Sequence, residues 1–471
     1  MLFNSLDFLV FFPLVTLLYF LLPHRFRWIH LLVASCVFYM FFIPAYILIL
    51  LFTITLDYFA GIAIEKASGR RRKLYLGLSL AGNLGVLAVF KYAGFFTLQM
   101  NALLHAFHSP ASLPVWEILL PIGLSFHTFQ AMSYTIEVYR GRCAVERHFG
   151  LYAVYVLFYP QLVAGPIERP SGLLRQLRER HVFNWADLGV GLRLMLWGFF
   201  KKLVIADRLG GYVNYVYGNV DHLSSAYVVV AVLFFSFQIY CDFSGYSDIA
   251  IGAARTMGFR LVTNFDRPYT SGNIRVFWSR WHISLTSWFR DYVYIPLGGN
   301  RVGAGRKYWN VLLVFLLSGL WHGAGWNFIV WGALHGVLMI MWRVYAGKGA
   351  AAARGVSTTV GRWLGVLGTF LAVSVLWVFF RCPDIGQAVH VLSHLAGYTG
   401  DVHFERNIDK TTIALGCVFL IFLLLVERRT TPGMEELQGR FWPDVALCTI
   451  ALGSILLFGV FGSQPFIYFQ F

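Results

Sequence analysis

The run Ser318-Gly-Leu-Trp321-His322-Gly-Ala-Gly-Trp-Asn327 holds one imidazole among glycines and tryptophans, between two apolar stretches. An ionisable side chain in such surroundings is costly, so it is a candidate for function. An imidazole titrates near neutral pH and can accept the proton of a hydroxyl. Gly323 and Gly325 allow close backbone approach or positive φ and are expected to open space for a substrate beside the ring. The plainer alternative is a neutral histidine bonded to a backbone carbonyl. A second imidazole, His282, follows Trp281 in Ser279-Arg-Trp-His-Ile-Ser-Leu-Thr286, forty residues earlier. It either faces His322 across the fold or caps a helix. His127 and His335 read as core polar residues, and His105, His108 and His148 as loop residues.

The segment Gln238-Ile-Tyr240-Cys-Asp242-Phe-Ser-Gly-Tyr-Ser-Asp248 places two carboxylates six apart near the end of an apolar run. At that spacing they do not share a helix face, so a paired acid and base is a poor fit. Hydrogen bonding to an arginine-rich segment, or capping of a broken helix, is expected instead. The piece from Ala164 to Pro170, with two prolines, reads as a rigid turn. There is no phosphate-binding GxxxxGK[ST] loop, no GxSxG elbow and no HExxH pair. The HxxxxD spacing is missing at both His282 and His322. The six cysteines are scattered without a CxxC pair, so neither a disulfide framework nor a structural zinc site is indicated. ATP-driven transport, serine hydrolysis and zinc catalysis all lose support.

These residues must be positioned by a strongly apolar chain. Of 471 residues, 58% are hydrophobic, 18% aromatic and 13% charged, and the mean hydropathy is +0.63. Soluble proteins carry about 25% charged residues, so neither a water-soluble nor a disordered chain fits. A helix needs about 20 mostly apolar residues to cross the hydrocarbon core. Stretches that qualify or nearly so are Leu6–Leu22, Ile29–Phe42, Tyr46–Ile64, Leu74–Phe90, Ile118–Val138, Leu151–Val163, Leu188–Ala206, Ala226–Tyr240, Trp309–Leu320, Phe328–Trp342, Trp363–Phe380, Thr412–Val426 and Val445–Phe461. Ala93–Phe107 is a weaker candidate. The expected fold class is an all-α polytopic membrane protein with about thirteen or more transmembrane or re-entrant helices. With no repeat and no soluble linker, one domain spanning 1–471 is the simplest organisation. The first run lacks the basic start and cleavage site of a signal peptide.

Arg25 and Arg27 follow the first span, and Arg70, Arg71, Arg72 and Lys73 the third. The positive-inside rule makes both loops cytoplasmic and the N-terminus extracytoplasmic. Arg343, Lys348, Arg354 and Arg362 mark a later cytoplasmic linker, as do Arg428, Arg429 and Arg440. The tail 463–471 is then extracytoplasmic. The net charge of +15 is read as loop charge of this kind, with no nucleic-acid partner. Residues 255–307 are aromatic and basic together, too charged to face lipid and too aromatic for a solvated loop. They read as re-entrant and interfacial helices packed on the bundle, the alternative being an amphipathic loop lying on anionic membrane lipid.

WSRWHISLTSWFRDYVYIPLGGNR (Trp278–Arg301), SGLWHGAGWNFIVWGALHG (Ser318–Gly336) and YCDFSGYSDIAIG (Tyr240–Gly252) resemble the membrane-bound O-acyltransferase (MBOAT) family. The similarity is to its bacterial branch, which includes the membrane subunits of alginate O-acetylation and teichoic-acid D-alanylation. LPIGLSFHTFQAMSYTIEVYRG (Leu120–Gly141) and FYPQLVAGPIERP (Phe158–Pro170) fit the same branch. The resemblance implies the MBOAT fold, with helices around a central tunnel that a cytoplasmic acyl donor enters at one mouth and an acceptor at the other. It implies that His322 is the catalytic histidine and His282 the second family position. The donor would be a thioester substrate, acetyl-CoA, with no bound cofactor and no metal. Arg275, Arg280 and Arg290 are candidates to hold donor phosphates by charge-assisted bonds, or else anionic headgroups. Trp281, Trp321, Asn327, Tyr240 and Asp242 are further donor or tunnel candidates.

The chain ends Gln464-Pro-Phe-Ile-Tyr468-Phe-Gln-Phe471. Aromatic residues favour the membrane interface, so this tail reads as an anchor. It also resembles the C-terminal tyrosine motif of the small partner protein in teichoic-acid D-alanylation, which implies an acyl relay through Tyr468. The whole reads as an O-acyltransferase of the bacterial inner membrane, serving O-acetylation of a cell-envelope polysaccharide or peptidoglycan. The implied partners are a periplasmic SGNH-type acetyltransferase and the polysaccharide acceptor. The alternatives are a lipid or sterol O-acyltransferase and a proton-coupled transporter.

Overall fold

A computed structural model describes residues 1–116, 118–163, 165–347, 359–430, 432, 434, 441–462 and 466–467, without the side chains of His403, Phe441 and Trp442. All regular structure among them is helical. They group into two compact units, Met1–Met195 with Ile249–Val262, and Leu196–Asp248 with Thr263–Phe471.

In the first unit the helices are α1 (Leu6–Leu21), α2 (His24–Met40), α3 (Ile47–Lys66), α4 (Gly69–Leu87), α5 (Ala93–Ala106), α6 (Leu124–Tyr139), α7 (Phe149–Leu157), α8 (Tyr159–Leu162), α9 (Pro170–Arg178) and most of α10 (Trp185–Phe199). Ser5 starts α1 by accepting the Phe8 amide at 3.2 Å, which satisfies a donor that the helix itself leaves orphaned. Helices α3, α4 and α6 pack around a buried polar knot. Asp57 accepts Ser79 Oγ at 2.6 Å and Asn83 Nδ2 at 2.8 Å, and Ser79 reaches Thr135 at 3.0 Å. A buried carboxylate is tolerable only when satisfied in this way.

The expected stretch Leu151–Val163 is not one helix. Phe158 leaves the helical region (φ −47°, ψ 108°) and Pro160 occupies the first turn of α8, where a missing amide costs nothing. Conversely, α4 and α5 form one rod, because a wider π turn at Ala88–Tyr92 joins them without a break.

The second unit holds α11 (Asp207–Gly218), the part of α12 (Ser225–Thr256) up to Asp248, α13 (Ile274–Arg280), α14 (Ile283–Phe289), α15 (Ala304–His322), α16 (Trp326–Gly347), α17 (Thr359–Arg381), α18 (Ile385–Ser393), α19 (Val402–Arg406), α20 (Lys410–Arg429) and α21 (Phe441–Phe458). Six helical stretches among the described residues are long and apolar enough to cross a membrane: Pro44–Lys66, Gly69–Ala106, Ser225–Thr256, Trp326–Ala346, Thr359–Arg381 and Lys410–Arg429. Several expected spans form helices shorter than that, among them Leu6–Leu21.

Candidate active site

Helix α15 ends on His322, and Gly323 follows in extended backbone (φ −157°). A Cβ on Gly323 would lie 2.1 Å from the Phe328 ring, and one on Gly325 would lie 2.3 Å from Asn327 Oδ1. The two glycines therefore admit Phe328 and Asn327. The room left by their missing side chains is taken by those two residues. Asn327 donates to the carbonyls of Phe379 (3.3 Å) and Cys382 (2.8 Å), fixing the start of α16 to the end of α17. The His322 ring is 4% exposed. It packs edge-on against Trp331 and Phe380, with centroids at 5.1 and 5.3 Å, and beside Trp321 at 4.9 Å.

His282 is placed by a different device. It forms the hinge between α13 and α14 in left-handed backbone (φ 44°). Such a conformation strains any residue with a Cβ and persists only where its surroundings hold it. Asn264 supplies that hold. Its carbonyl accepts the Ile283 amide at 2.9 Å, its Oδ1 accepts Ser284 Oγ at 2.6 Å, and its Nδ2 reaches Ser247 at 3.2 Å. Asn273 caps α13 by accepting the Val276 amide at 3.0 Å. The basic aromatic segment thus folds as two short helices that bury Trp278, Trp281, Trp288 and Phe289. Burial pushes the pKa of the His282 imidazole down to about 3, so the ring is neutral at physiological pH.

Trp321 links the two histidines, since its indole lies 6.0 Å from the His282 ring and 4.9 Å from that of His322. Around them run Trp281, Trp377 and Trp331 in sequence, at 4.9 and 5.6 Å. Tyr240 joins this cluster through Trp281 at 6.2 Å, and its hydroxyl donates to Glu427 at 2.6 Å. His335 accepts the Trp278 indole N–H at 3.3 Å and is the core polar residue its surroundings suggest. His127 is buried in the other unit. His148 caps α7 by accepting the Leu151 amide.

Neither aspartate of the 238–248 segment bonds as expected from its spacing, because α12 is unbroken and their partners are lysines. The partners come from a π-helical turn, Phe200–Ala206, whose wider coil turns two successive lysines inward. Lys201 pairs with Asp248 at 2.6 Å and meets Ser244 at 2.9 Å. Lys202 lies between Asp207 (2.8 Å) and Asp242 (2.7 Å). Asp242 also accepts the Ile467 amide at 2.7 Å, so the carboxylate holds the backbone at that residue. Phe466 packs on Phe243 (5.3 Å) and Tyr246 (4.7 Å), and Phe243 is 4.6 Å from the His282 ring. Tyr468 itself lies outside the described residues.

The three arginines do not join the histidine cluster. Arg275 is exposed and lies over the Trp342 ring at 5.4 Å. Arg280 donates to Thr270 at 3.0 Å, and Arg290, also exposed, pairs with Asp291 at 2.8 Å. The residues that sequence reasoning passed over are Asn264, Lys201, Lys202, Asp207 and Glu427. Two lysines inside the apolar run Leu188–Ala206 were the available signal.

The chain is 34% identical to a probable alginate O-acetylase of Pseudomonas putida over an alignment covering 100% of both chains. Residues 147–378 match the family profile of the membrane-bound O-acyltransferases. The chain belongs to the membrane-bound O-acyltransferase family. This acyltransferase is also 34% identical to the peptidoglycan O-acetyltransferase of Helicobacter pylori, over 94% of its own length and 91% of that protein's. A teichoic acid D-alanyltransferase of Bacillus subtilis is 27% identical over 50% of this chain and 62% of its own. The acyltransferase is thus an all-helical, multi-pass membrane enzyme. The transporter alternative is set aside.

Proposed function

We propose that this acyltransferase moves an acetyl group from cytoplasmic acetyl-CoA across the bacterial inner membrane for O-acetylation of a cell-envelope polysaccharide or peptidoglycan. The observation that carries the reading is that His282 and His322 both pack against one buried indole, that of Trp321. His322 takes the proton of an attacking hydroxyl, the oxygen adds to the thioester carbonyl, and the C–S bond breaks. The imidazolium returns the proton to the departing thiolate, so protons and charge balance. His282, held neutral by burial, donates an N–H to the developing oxyanion. The outward-lying Arg275, Arg280 and Arg290 bind the donor's phosphates by charge-assisted bonds.

The attacking hydroxyl is the Tyr468 phenol, which then carries the acetyl ester to the acceptor side. The polymer hydroxyl, presented by a periplasmic SGNH-type transferase, adds to the ester carbonyl and the phenolic C–O bond breaks, the hydroxyl proton passing to the departing Tyr468 phenoxide. Supporting this relay is the burial of Phe466 and Ile467 in the unit that holds both histidines. Both termini are extracytoplasmic, the two units serve one catalytic domain over 1–471, and the substrates reach His322 through a tunnel between the helices.

Mass spectrometry of envelope polymers tests the proposal in cells making the wild type, His322→Ala or Tyr468→Phe at equal abundance. Loss of acetylation in both variants is expected. Normal acetylation with His322→Ala overturns the mechanism, and normal acetylation with Tyr468→Phe overturns the relay alone.

A further inference from the structure

Helix α18 carries His390 in its last turn and is capped by His394 four residues on, so the two imidazoles lie on one side of its end. Their rings are 4.4 Å apart by centroid. Asp221, on the short turn Val220–His222, meets them from a part of the chain about 170 residues earlier. Its Oδ1 is 2.8 Å from His390 Nε2 and 3.6 Å from His394 Nε2. One ligand atom from each residue falls within 4.8 Å of the others.

The hydrogen bonds around His394 settle its tautomer. Nδ1 lies 2.9 Å from the His390 carbonyl, which can only accept, so Nδ1 carries the proton. The Ser393 hydroxyl spends its own proton on that same carbonyl at 2.7 Å, leaving its oxygen to face Nδ1 at 3.2 Å. With its only proton on Nδ1, the ring presents the Nε2 lone pair to the carboxylate. Two electron-rich atoms at 3.6 Å repel unless a proton or a metal cation lies between them. A backbone carbonyl on the second ring nitrogen is also the usual outer partner of a metal-bound histidine. Tyr398 stacks on the His394 ring at 3.8 Å and keeps it aimed.

The geometry points to a divalent transition-metal site, of the zinc class, formed by Asp221, His390 and His394. Tetrahedral zinc with bonds of about 2.0–2.1 Å separates its ligands by about 3.3 Å, between the two observed spacings of 2.8 and 3.6 Å. His394 is buried, while His390 and Asp221 are exposed, so an ion can enter from solvent and the fourth position is left to water. The site clips the 220–222 turn to α18. It adds to main-chain bonds between the 222–225 stretch and the residues that follow α18, from Asp401 to the His222 carbonyl (2.8 Å) and from Ser225 to the Tyr398 carbonyl (3.2 Å).

The test is calorimetric titration of zinc chloride into the full-length protein, purified in detergent with a histidine-free tag and stripped with chelator. The wild type is expected to bind one equivalent with a Kd below about 1 µM and to melt at higher temperature when loaded. Asp221→Asn and His390→Ala change exposed side chains and should elute as the wild type does. Each is expected to weaken binding at least about 100-fold and to lose the thermal shift. Absence of saturable one-equivalent binding by the wild type overturns the proposal, as does unchanged binding in both variants.

Discussion

Replacing Gly323 by alanine perturbs His322, the proposed general base, without touching its chemistry. The backbone at Gly323 is extended, so alanine adopts it without strain. The new methyl would stand 2.1, 2.3 and 2.7 Å from three carbons of the Phe328 ring. Carbon atoms settle at about 3.5–4.0 Å, so the ring must retreat by about 1.5 Å. Phe328 packs edge-on against Phe380 at 5.2 Å, and Phe380 against His322 at 5.3 Å. The displacement therefore passes through one ring to the imidazole. Overpacking of this kind costs about 1–3 kcal/mol of stability, and a misplacement of about 1 Å can cost on the order of 100-fold in rate. The assay is acetyl-CoA turnover by purified Gly323→Ala, with thermal melting in parallel. Phe328→Ala removes all three clashing carbons, so Gly323→Ala should cost far less on that background. Wild-type turnover by the single variant, or an equal loss on both backgrounds, refutes the reasoning.

Lys202→Met leaves Asp207 and Asp242 buried without their cation, which should cost about 3–5 kcal/mol. Melting in detergent checks this, and a loss under about 1 kcal/mol, the range of exposed pairs, contradicts it. His282 makes stability depend on pH. The unfolded ring takes up a proton near 6.5 and the folded ring only near 3. The stability is present above pH 6.5 and is lost as pH falls toward 3, at up to about 1.4 kcal/mol per pH unit. His282→Gln should flatten this acid slope in melts between about pH 7 and pH 4, and parallel curves for the two proteins contradict the assignment.

The membrane-helical class was legible because apolar runs report burial directly, and His322 and His282 stood out as ionisable groups in aromatic surroundings. Partners far apart in the chain were not legible. Asp242 and Asp248 suggested bonds to nearby arginines, whereas a π turn forty residues upstream supplies lysines. Asn264 looks like an ordinary loop residue until the left-handed backbone at His282 shows what it holds. His390 and His394 have the one-turn spacing of a ligand pair, but Asp221 joins them only through the fold. Gly323 and Gly325 announced close approach without saying by what, and the answer was Phe328 and Asn327.

The central claim is that the His322 imidazole carries the proton in acyl transfer. Its most direct test is the rate of CoA release from acetyl-CoA by purified wild type and His322→Gln, matched for folding by melting temperature. A fall of about 100- to 10,000-fold is expected, the contribution of a positioned general base. Equal rates in the two proteins would contradict it.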